Sequence, residues 1–120
     1  MSEQNPILDD KELANLEELE DEFDPETAKE LAQAFLEDSA QALPRIDAGM
    51  EARDAEEIRA SAHMIKGCSR VVKAKPLEAA ASTLEHSAKS GAWEQIPDLV
   101  GKLKTIYSRT EETINRYTQN

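Results

Sequence analysis

The sequence predicts an all-α fold: an antiparallel up-down-up-down four-helix bundle with an additional short N-terminal helix. Apolar residues recur at spacings of three and four, whereas β-branched and aromatic residues are sparse and no stretch alternates as a strand would. The connecting segments are short, so neighbouring helices should run antiparallel. At 120 residues the chain is long enough for one domain. We therefore expect a single domain over 1–120, with 1–8 as a flexible tail.

The N-terminal half predicts two helices. A short helix over 9–21 carries a thin apolar stripe of Leu13, Leu16 and Leu19. The segment DPET predicts the start of a long helix, with Asp24 as N-cap and Pro25 at the first helical position. Pro44 lies inside this pattern and would lose a backbone hydrogen bond, so we expect a kink or an early end there. The predicted buried side of this helix consists of Leu31, Ala34 or Phe35, Asp38, Ala42 and Ile46.

Three further helices follow. Asp54 is the predicted N-cap of a helix that ends at about residue 73. Pro76 begins the next helix and Gly91 ends it. The last helix spans roughly 93–117. With the long helix from Pro25 they form the predicted bundle, and the short first helix would cover one end of it.

The charge of the chain is unevenly distributed. The formal net charge is −11, with −15 in residues 1–57, +5 in 58–75 and −1 in 76–120. An acidic chain repels phosphate backbones and anionic lipids, so we expect no binding to nucleic acid or to a membrane. No apolar run approaches the ~20 residues of a membrane span, and the N-terminus is acidic where a targeting peptide would be basic. These features predict a cytoplasmic protein, which we expect to be a monomer.

The basic segment contains the stretch SAHMIKGCSR, residues 61–70. At about 100° per residue, His63 lies at the centre of the polar half of its helix. A histidine kept for packing would lie on the apolar half, so we expect His63 to be exposed. The predicted core side consists of Ile58, Ser61, Ala62, Met64, Ile65, Cys68, Ser69, Val71 and Val72.

Four basic residues flank the histidine on the polar half: Arg59, Lys66, Arg70 and Lys73. Only Glu56 is acidic within this stripe, so like charges should repel by roughly a few tenths of a kcal/mol per pair. Gly67 costs a further ~1 kcal/mol against alanine and leaves bare backbone beside the imidazole. The pattern predicts an exposed nucleophilic nitrogen in a positive field, suited to carrying a phosphoryl group. A solvated face with an incidental histidine is the simpler alternative.

Other chemistries lack the residues they need. His63 has no second metal ligand at i+3 or i+4, and the single cysteine, Cys68, points to the opposite side. Ser69 also faces the core, so a hydrolase would have no nucleophile. No glycine-rich phosphate loop or kinase motif is present in the sequence. We therefore expect no catalytic residue and no metal, and a carrier rather than an enzyme.

The segment AHMIKGCSRVVKAKPLEAAASTLEHSAKSG resembles the histidine-containing phosphotransfer (HPt) domains of two-component phosphorelays. The resemblance implies that His63 is phosphorylated on Nε2 by the phospho-aspartate of a response-regulator receiver domain and passes the group to another receiver. It also implies that Lys66 neutralises the phosphoryl group and that Gly67 makes room for the receiver. The matching residues are Ala62, His63, Ile65, Lys66, Gly67, Cys68, Ser69, Ala74, Leu77, Leu84 and Glu85.

The resemblance further implies partners and a docking surface. The partners would be receiver domains and a hybrid sensor histidine kinase, with Mg²⁺ on the receiver and no cofactor on this chain. Lys73 stands where the family usually has a glycine, and an extra lysine there could steer an acidic receiver. Two alternatives stay open: a helical adaptor that binds a receiver without being phosphorylated, and one that uses the acidic N-terminal half. The expected docking residues are Arg59, Met64, Arg70 and Lys73.

Overall fold

A computed structural model describes residues 9–119 and contains six helices in that range, with no strand. The predicted tail, 1–8, lies outside the described residues. None of the helices in 9–119 is both long and apolar enough to cross a bilayer. The all-α prediction is therefore confirmed. The helices are α1 Asp10–Leu13, α2 Leu16–Glu22, α3 Pro25–Ala52, α4 Ala55–Val71, α5 Lys75–Ser90 and α6 Ile96–Thr118.

Helices α3 to α6 form the bundle. Each packs against the next along the chain, and α3 also contacts α6, which closes the ring around one core. Segments 53–54, 72–74 and 91–95 connect them, and such short connections make neighbours antiparallel. Gly91 ends α5 in the left-handed region at φ +73°, as predicted. The largest fully buried side chains include Phe35, Ile46, Ile58, Ile65, Leu77, Leu84, Ile96, Leu103 and Ile114.

The single helix predicted over 9–21 is wrong, because the chain forms two short helices there. Asp9 caps α1 in a reciprocal pair with Glu12, and Asn15 caps α2 by accepting a hydrogen bond from the Glu18 N–H at 3.1 Å. Ala14 is extended between them. An asparagine side chain that binds the backbone three residues later starts a new helix instead of continuing the old one.

Both short helices cover the bundle, as the sequence predicts for its N-terminal helix. Helix α1 packs against α5 and α6, and α2 packs against α3. Asp10 accepts hydrogen bonds from Thr113 at 2.9 Å and from Arg116 at 2.7 Å. Leu13 and Leu19 are buried beneath them. Apolar burial and polar contacts together fasten this cover to the bundle.

Helix α3 begins as predicted, but it does not end at Pro44. Asp24 accepts a hydrogen bond from the Thr27 N–H at 2.7 Å, with Pro25 next to it. The helix continues through Pro44 to Ala52, so an early end is wrong. The turns after the proline pack tightly: a Cβ on Gly49 would lie 2.7 Å from Ile58 Cγ1. This close approach of α3 and α4 favours continuation of the helix despite the lost hydrogen bond.

The buried side of α3 differs from the prediction at one polar position. Asp38 and Ala34 are exposed, and Ser39 is buried instead. The Ser39 hydroxyl donates to the Phe35 carbonyl at 2.6 Å and lies 2.9 Å from the Tyr107 hydroxyl of α6. Because the serine proton goes to the carbonyl, the tyrosine donates to Ser39. One hydrogen-bonded pair thus joins α3 to α6 inside the core.

We expect Tyr107→Phe to lower the free energy of unfolding by about 1 kcal/mol, since it deletes one buried hydrogen bond but leaves the Ser39 proton satisfied. Urea unfolding followed by circular dichroism measures this. Phenylalanine keeps the ring contact with Phe35, whose centroid lies 6.1 Å away. An unchanged unfolding midpoint would contradict a stabilising role for this pair.

Candidate functional site

Helix α4 presents His63 to solvent. Asp54 caps the helix by accepting a hydrogen bond from the Glu57 N–H at 3.1 Å. The His63 side chain is 63% exposed. Val71, predicted on the core side, is instead 43% exposed because it is the last residue of the helix. The buried residues of α4 are Ile58, Ser61, Ala62, Ile65 and Ser69.

A carboxylate from α5 lies between His63 and Lys66. Glu85 Oε2 is 2.9 Å from His63 Nδ1, and Glu85 Oε1 is 2.7 Å from Lys66 Nζ. Arg59 Nη1 lies 3.9 Å from the same carboxylate. The Glu85 side chain is only 15% exposed, so it lies beneath the imidazole rather than in open solvent. The two helices therefore place one acid in contact with both the histidine and its nearest lysine.

The charge of Glu85 determines which imidazole nitrogen is free. A hydrogen bond from Lys66 is the main cause that lowers the pKa of Glu85, and the hydrogen bond to His63 lowers it further against the effect of burial. An ionised carboxylate only accepts hydrogen bonds, so Nδ1 must carry the proton that faces it. The neutral ring then has its lone pair on Nε2. The nucleophilic nitrogen is the one directed away from Glu85.

Glu56 offsets Arg59, as the stripe on α4 allows, but the expectation that the other bases repel without acidic partners is wrong, because other helices contribute acids to them. Arg59 binds Glu56 of its own helix through two hydrogen bonds, at 3.0 and 2.7 Å. Arg70 Nε lies 2.8 Å from Glu78 of α5. Lys66 has Glu85, as described above. A helical wheel of α4 alone cannot show acids that neighbouring helices contribute.

Gly67 and Met64 lie beside His63 without belonging to this ionic cluster. A Cβ added to Gly67 would meet nothing within 4 Å, so the surface there is open. Met64 is half-buried and packs against the core. On the side of His63 away from Glu85, α4 therefore contributes an open glycine and a methionine and no charged side chain.

Lys73 is not part of the His63 cluster. It lies in the turn after α4, with φ at +58°, and its Nζ is 2.8 Å from Glu22 of α2. Its side chain is only 20% exposed. The helical wheel predicts Lys73 on the polar half beside His63, but α4 ends at Val71 and its periodicity stops there. Ala74, the next residue, is buried.

Cys68 is unsuited to nucleophilic chemistry. Burial, and then the nearby charge of Asp38, raise the pKa of its thiol to about 12. The thiol donates a weak hydrogen bond to the Ile65 carbonyl at 3.5 Å. Over 9–119 no three His, Cys, Asp or Glu side chains group as a metal site. The arrangement around His63 thus offers one exposed nucleophile without a metal-binding cluster.

The sequence alone does not predict the roles of Glu78 and Glu85. Glu85 belongs to the family motif, but the resemblance assigns it no function. The two glutamates are seven residues apart on α5, which places them on one helix face. That spacing was visible in the sequence, but it becomes informative only once α4 is known to pack beside that face.

We expect the side-chain carboxyl of Glu85 to titrate below 4.5, the ordinary value, in carbon-detected NMR, because Lys66 and His63 favour its charged form. Lys66→Met should raise the pKa of Glu85 by removing the largest cause. Because the pKa of Glu85 is lower in the folded state, its carboxylate stabilises the fold at pH values above the pKa of the unfolded state. This stabilisation is lost as the pH falls through the pKa of the folded state. An unchanged Glu85 titration in Lys66→Met would contradict the assignment.

Comparisons with known proteins agree with this geometry. Residues 30–113 match the family model described as Hpt domain. The chain is 26% identical over 112 residues to "Histidine-containing phosphotransfer protein 4" of Arabidopsis thaliana, covering 92% of this chain and 88% of the relative. Its fold matches the crystal structure of histidine-containing phosphotransfer protein B (HptB) from Pseudomonas aeruginosa PAO1 with a TM-score of 0.81, 27% identity and 97% of both chains covered.

The family model covers more than half of the chain, the relative and the solved structure are both named as histidine-containing phosphotransfer proteins, and the solved structure also shares the fold. Family membership also settles the class of activity, which is phosphoryl carriage rather than kinase chemistry. The chain belongs to the Hpt domain family and is a histidine phosphotransfer protein of phosphorelay signalling.

Proposed function

We propose that His63 accepts a phosphoryl group on Nε2 from the aspartyl phosphate of a receiver domain and delivers it to the aspartate of another receiver. One observation carries this proposal: Glu85 holds Nδ1 at 2.9 Å while the imidazole is exposed. A ring fixed in this way offers a single nucleophilic nitrogen to a partner. The partners proposed are receiver domains, including that of a hybrid sensor kinase, which would supply Mg²⁺.

The proposed transfer needs no reactant besides the imidazole and the aspartyl phosphate. The Nε2 lone pair attacks phosphorus, the N–P bond forms, and the P–O bond of the acyl phosphate breaks. The receiver aspartate leaves as a carboxylate. Nδ1 keeps its proton, so the ring becomes positively charged, and the ionised Glu85 stabilises that charge. The reverse sequence delivers the phosphoryl group to the second receiver.

Lys66 is the proposed partner of the phosphoryl group. It lies one turn from His63 on the same helix, and its Nζ is held by Glu85 at 2.7 Å. An ammonium group has three donors, so Lys66 can bind a phosphoryl oxygen while it keeps a bond to Glu85. Arg59, Arg70 and Met64 are proposed contacts of the receiver around this centre.

We expect the wild-type protein to acquire phosphate that is labile to acid and stable to alkali when it is mixed with a phosphorylated receiver, and His63→Gln to acquire none. Radiolabel that is lost in acid and retained in alkali measures this. Circular dichroism of the variant checks that it is folded. Label on both proteins, or on neither, would contradict the carrier function of His63, and label on neither would leave an adaptor that is not phosphorylated.

The variant Gly67→Ala distinguishes the effect of Gly67 on partner binding from its effect on the stability of the fold. We expect alanine to raise the free energy of unfolding by about 0.5–1 kcal/mol, since it favours helix and meets no neighbour. In the complex the same methyl group should slow phosphoryl transfer by about ten- to a hundredfold, because it displaces the receiver from Nε2. Urea unfolding and transfer kinetics measure the two effects.

Gly101→Ala is the matched control. Gly101 lies in α6, and a Cβ there would also meet nothing within 4 Å. It should gain similar stability and transfer phosphate at the wild-type rate. Equal transfer rates for both alanine variants would show that Gly67 gives the partner no clearance.

A further inference from the structure

Two large apolar side chains are exposed within the described residues, and both lie near one ion pair. Phe23, at the junction of α2 and α3, is 42% exposed, and Val71, at the end of α4, is 43% exposed. Lys73 Nζ and Glu22 Oε2 are 2.8 Å apart. Each apolar residue is within two positions of one member of this pair. The pair therefore brings the two apolar residues to the same end of the bundle.

Lys73 contacts both ends of α2. Its carbonyl accepts a hydrogen bond at 3.1 Å from the N–H of Asn15, the N-cap of α2, and its ammonium group binds Glu22, the last residue of α2. Its φ of +58° is in the left-handed region, where a glycine would be less strained. A lysine at this position must offset that strain through its side chain. The contact it makes is the one to Glu22.

We propose that Lys73 is a positioning residue, which fastens α2 so that Phe23 and Val71 form an apolar contact area for the receiver that exchanges phosphate with His63. This inference rests on the proposed function. It concerns docking, whereas His63, Lys66 and Glu85 concern the chemistry.

The distance from His63 favours the receiver as the occupant. A stable interface buries about 800 Å² per partner, which corresponds to a patch of roughly 16 Å radius. Val71 follows His63 by eight residues, or about 12 Å along α4. A receiver centred on His63 therefore reaches the end of the helix.

The distribution of charge around His63 agrees with this placement. On the wheel of α4, Gly67, Val71 and Met64 lie on one side of His63, and the bases that contact acids of α5 lie on the other. The first side faces α3, whose exposed Asp38 lies close enough to Cys68 to raise the pKa of its thiol, so the absence of charge on this side holds for the residues of α4. The centres of interfaces are depleted in charge and enriched in aromatic residues and methionine. This side has the composition of such a centre.

Simple electrostatic steering by Lys73 predicts the opposite result for one substitution. If Lys73 only attracted an acidic receiver, Glu22→Gln would remove a repelling charge and strengthen association. If Lys73 positions α2 through Glu22, Glu22→Gln releases the helix and weakens association. The sign of this effect distinguishes the two roles.

The experiment titrates the full chain with a receiver domain that labels His63, and measures both the Kd and the transfer rate at saturating receiver. We expect Lys73→Gly and Glu22→Gln to weaken binding about two- to fivefold, and Phe23→Ser and Val71→Ser to weaken it about fivefold or more. The transfer rate at saturation should stay at the wild-type value. Ala48→Ser, an exposed position of α3, is the control.

Two further measurements separate positioning from stability and from the proposed function. Lys73→Gly should unfold at no lower urea concentration, because glycine relieves the left-handed backbone. The exchanged pair, Glu22→Lys with Lys73→Glu, should recover affinity that Lys73→Glu alone loses. Glu22→Gln binding as tightly as wild type or tighter, or a slower saturated rate with unchanged Kd, would overturn the inference. Failure of His63 to label would instead overturn the proposed function.

Discussion

The contact of Glu85 with His63 and Lys66 is the interaction on which the site depends, and the packing of α5 against α4 makes it possible. Three of the five buried residues of α5 are small: Ala81, between the two leucines, and Ser87 and Ala88 after them. Small side chains let two helix backbones approach closely. A glutamate on α5 therefore reaches under an imidazole on α4. The same carboxylate contacts both Nδ1 of His63 and the ammonium group of Lys66. The spacing between α4 and α5 therefore also determines the tautomer of the imidazole.

This arrangement changes the meaning of the basic segment. The sequence suggests a positive patch in an acidic protein, whereas the structure shows ion pairs in which Glu56, Glu78 and Glu85 balance the bases. A balanced patch has little attraction for free anions or nucleic acid. In the proposed function, a phosphoryl group on His63 would add negative charge beside Lys66 and compete with Glu85 for its ammonium group. Lys66 would then bind a phosphoryl group held on the imidazole more readily than a free anion.

The sequence predicts correctly those features that depend on a single helix. The N-caps Asp24 and Asp54, the stop at Gly91 and the exposure of His63 each depend on local chemistry or on one periodicity. It failed where two elements meet. Ser39 replaces Asp38 inside α3 because a tyrosine of α6 offers its hydroxyl there, and the role of Glu85 needs the distance between α4 and α5. Asn15 is a local exception, because its side chain starts α2 and divides the single helix that the sequence predicts.

His63 divides the outer face of α4 into two halves of different character. Towards α5 the surface is ionic and each base is held by a carboxylate, which suits the stabilisation of charge during transfer. Towards α3 it is open at Gly67 and apolar at Met64 and Val71, which suits contact with another protein. In the proposed complex, a receiver on the apolar half would meet Nε2 from the side opposite Glu85, so its own acidic site would not face that carboxylate. The asymmetry of one helix would then set the direction from which the proposed partner approaches His63.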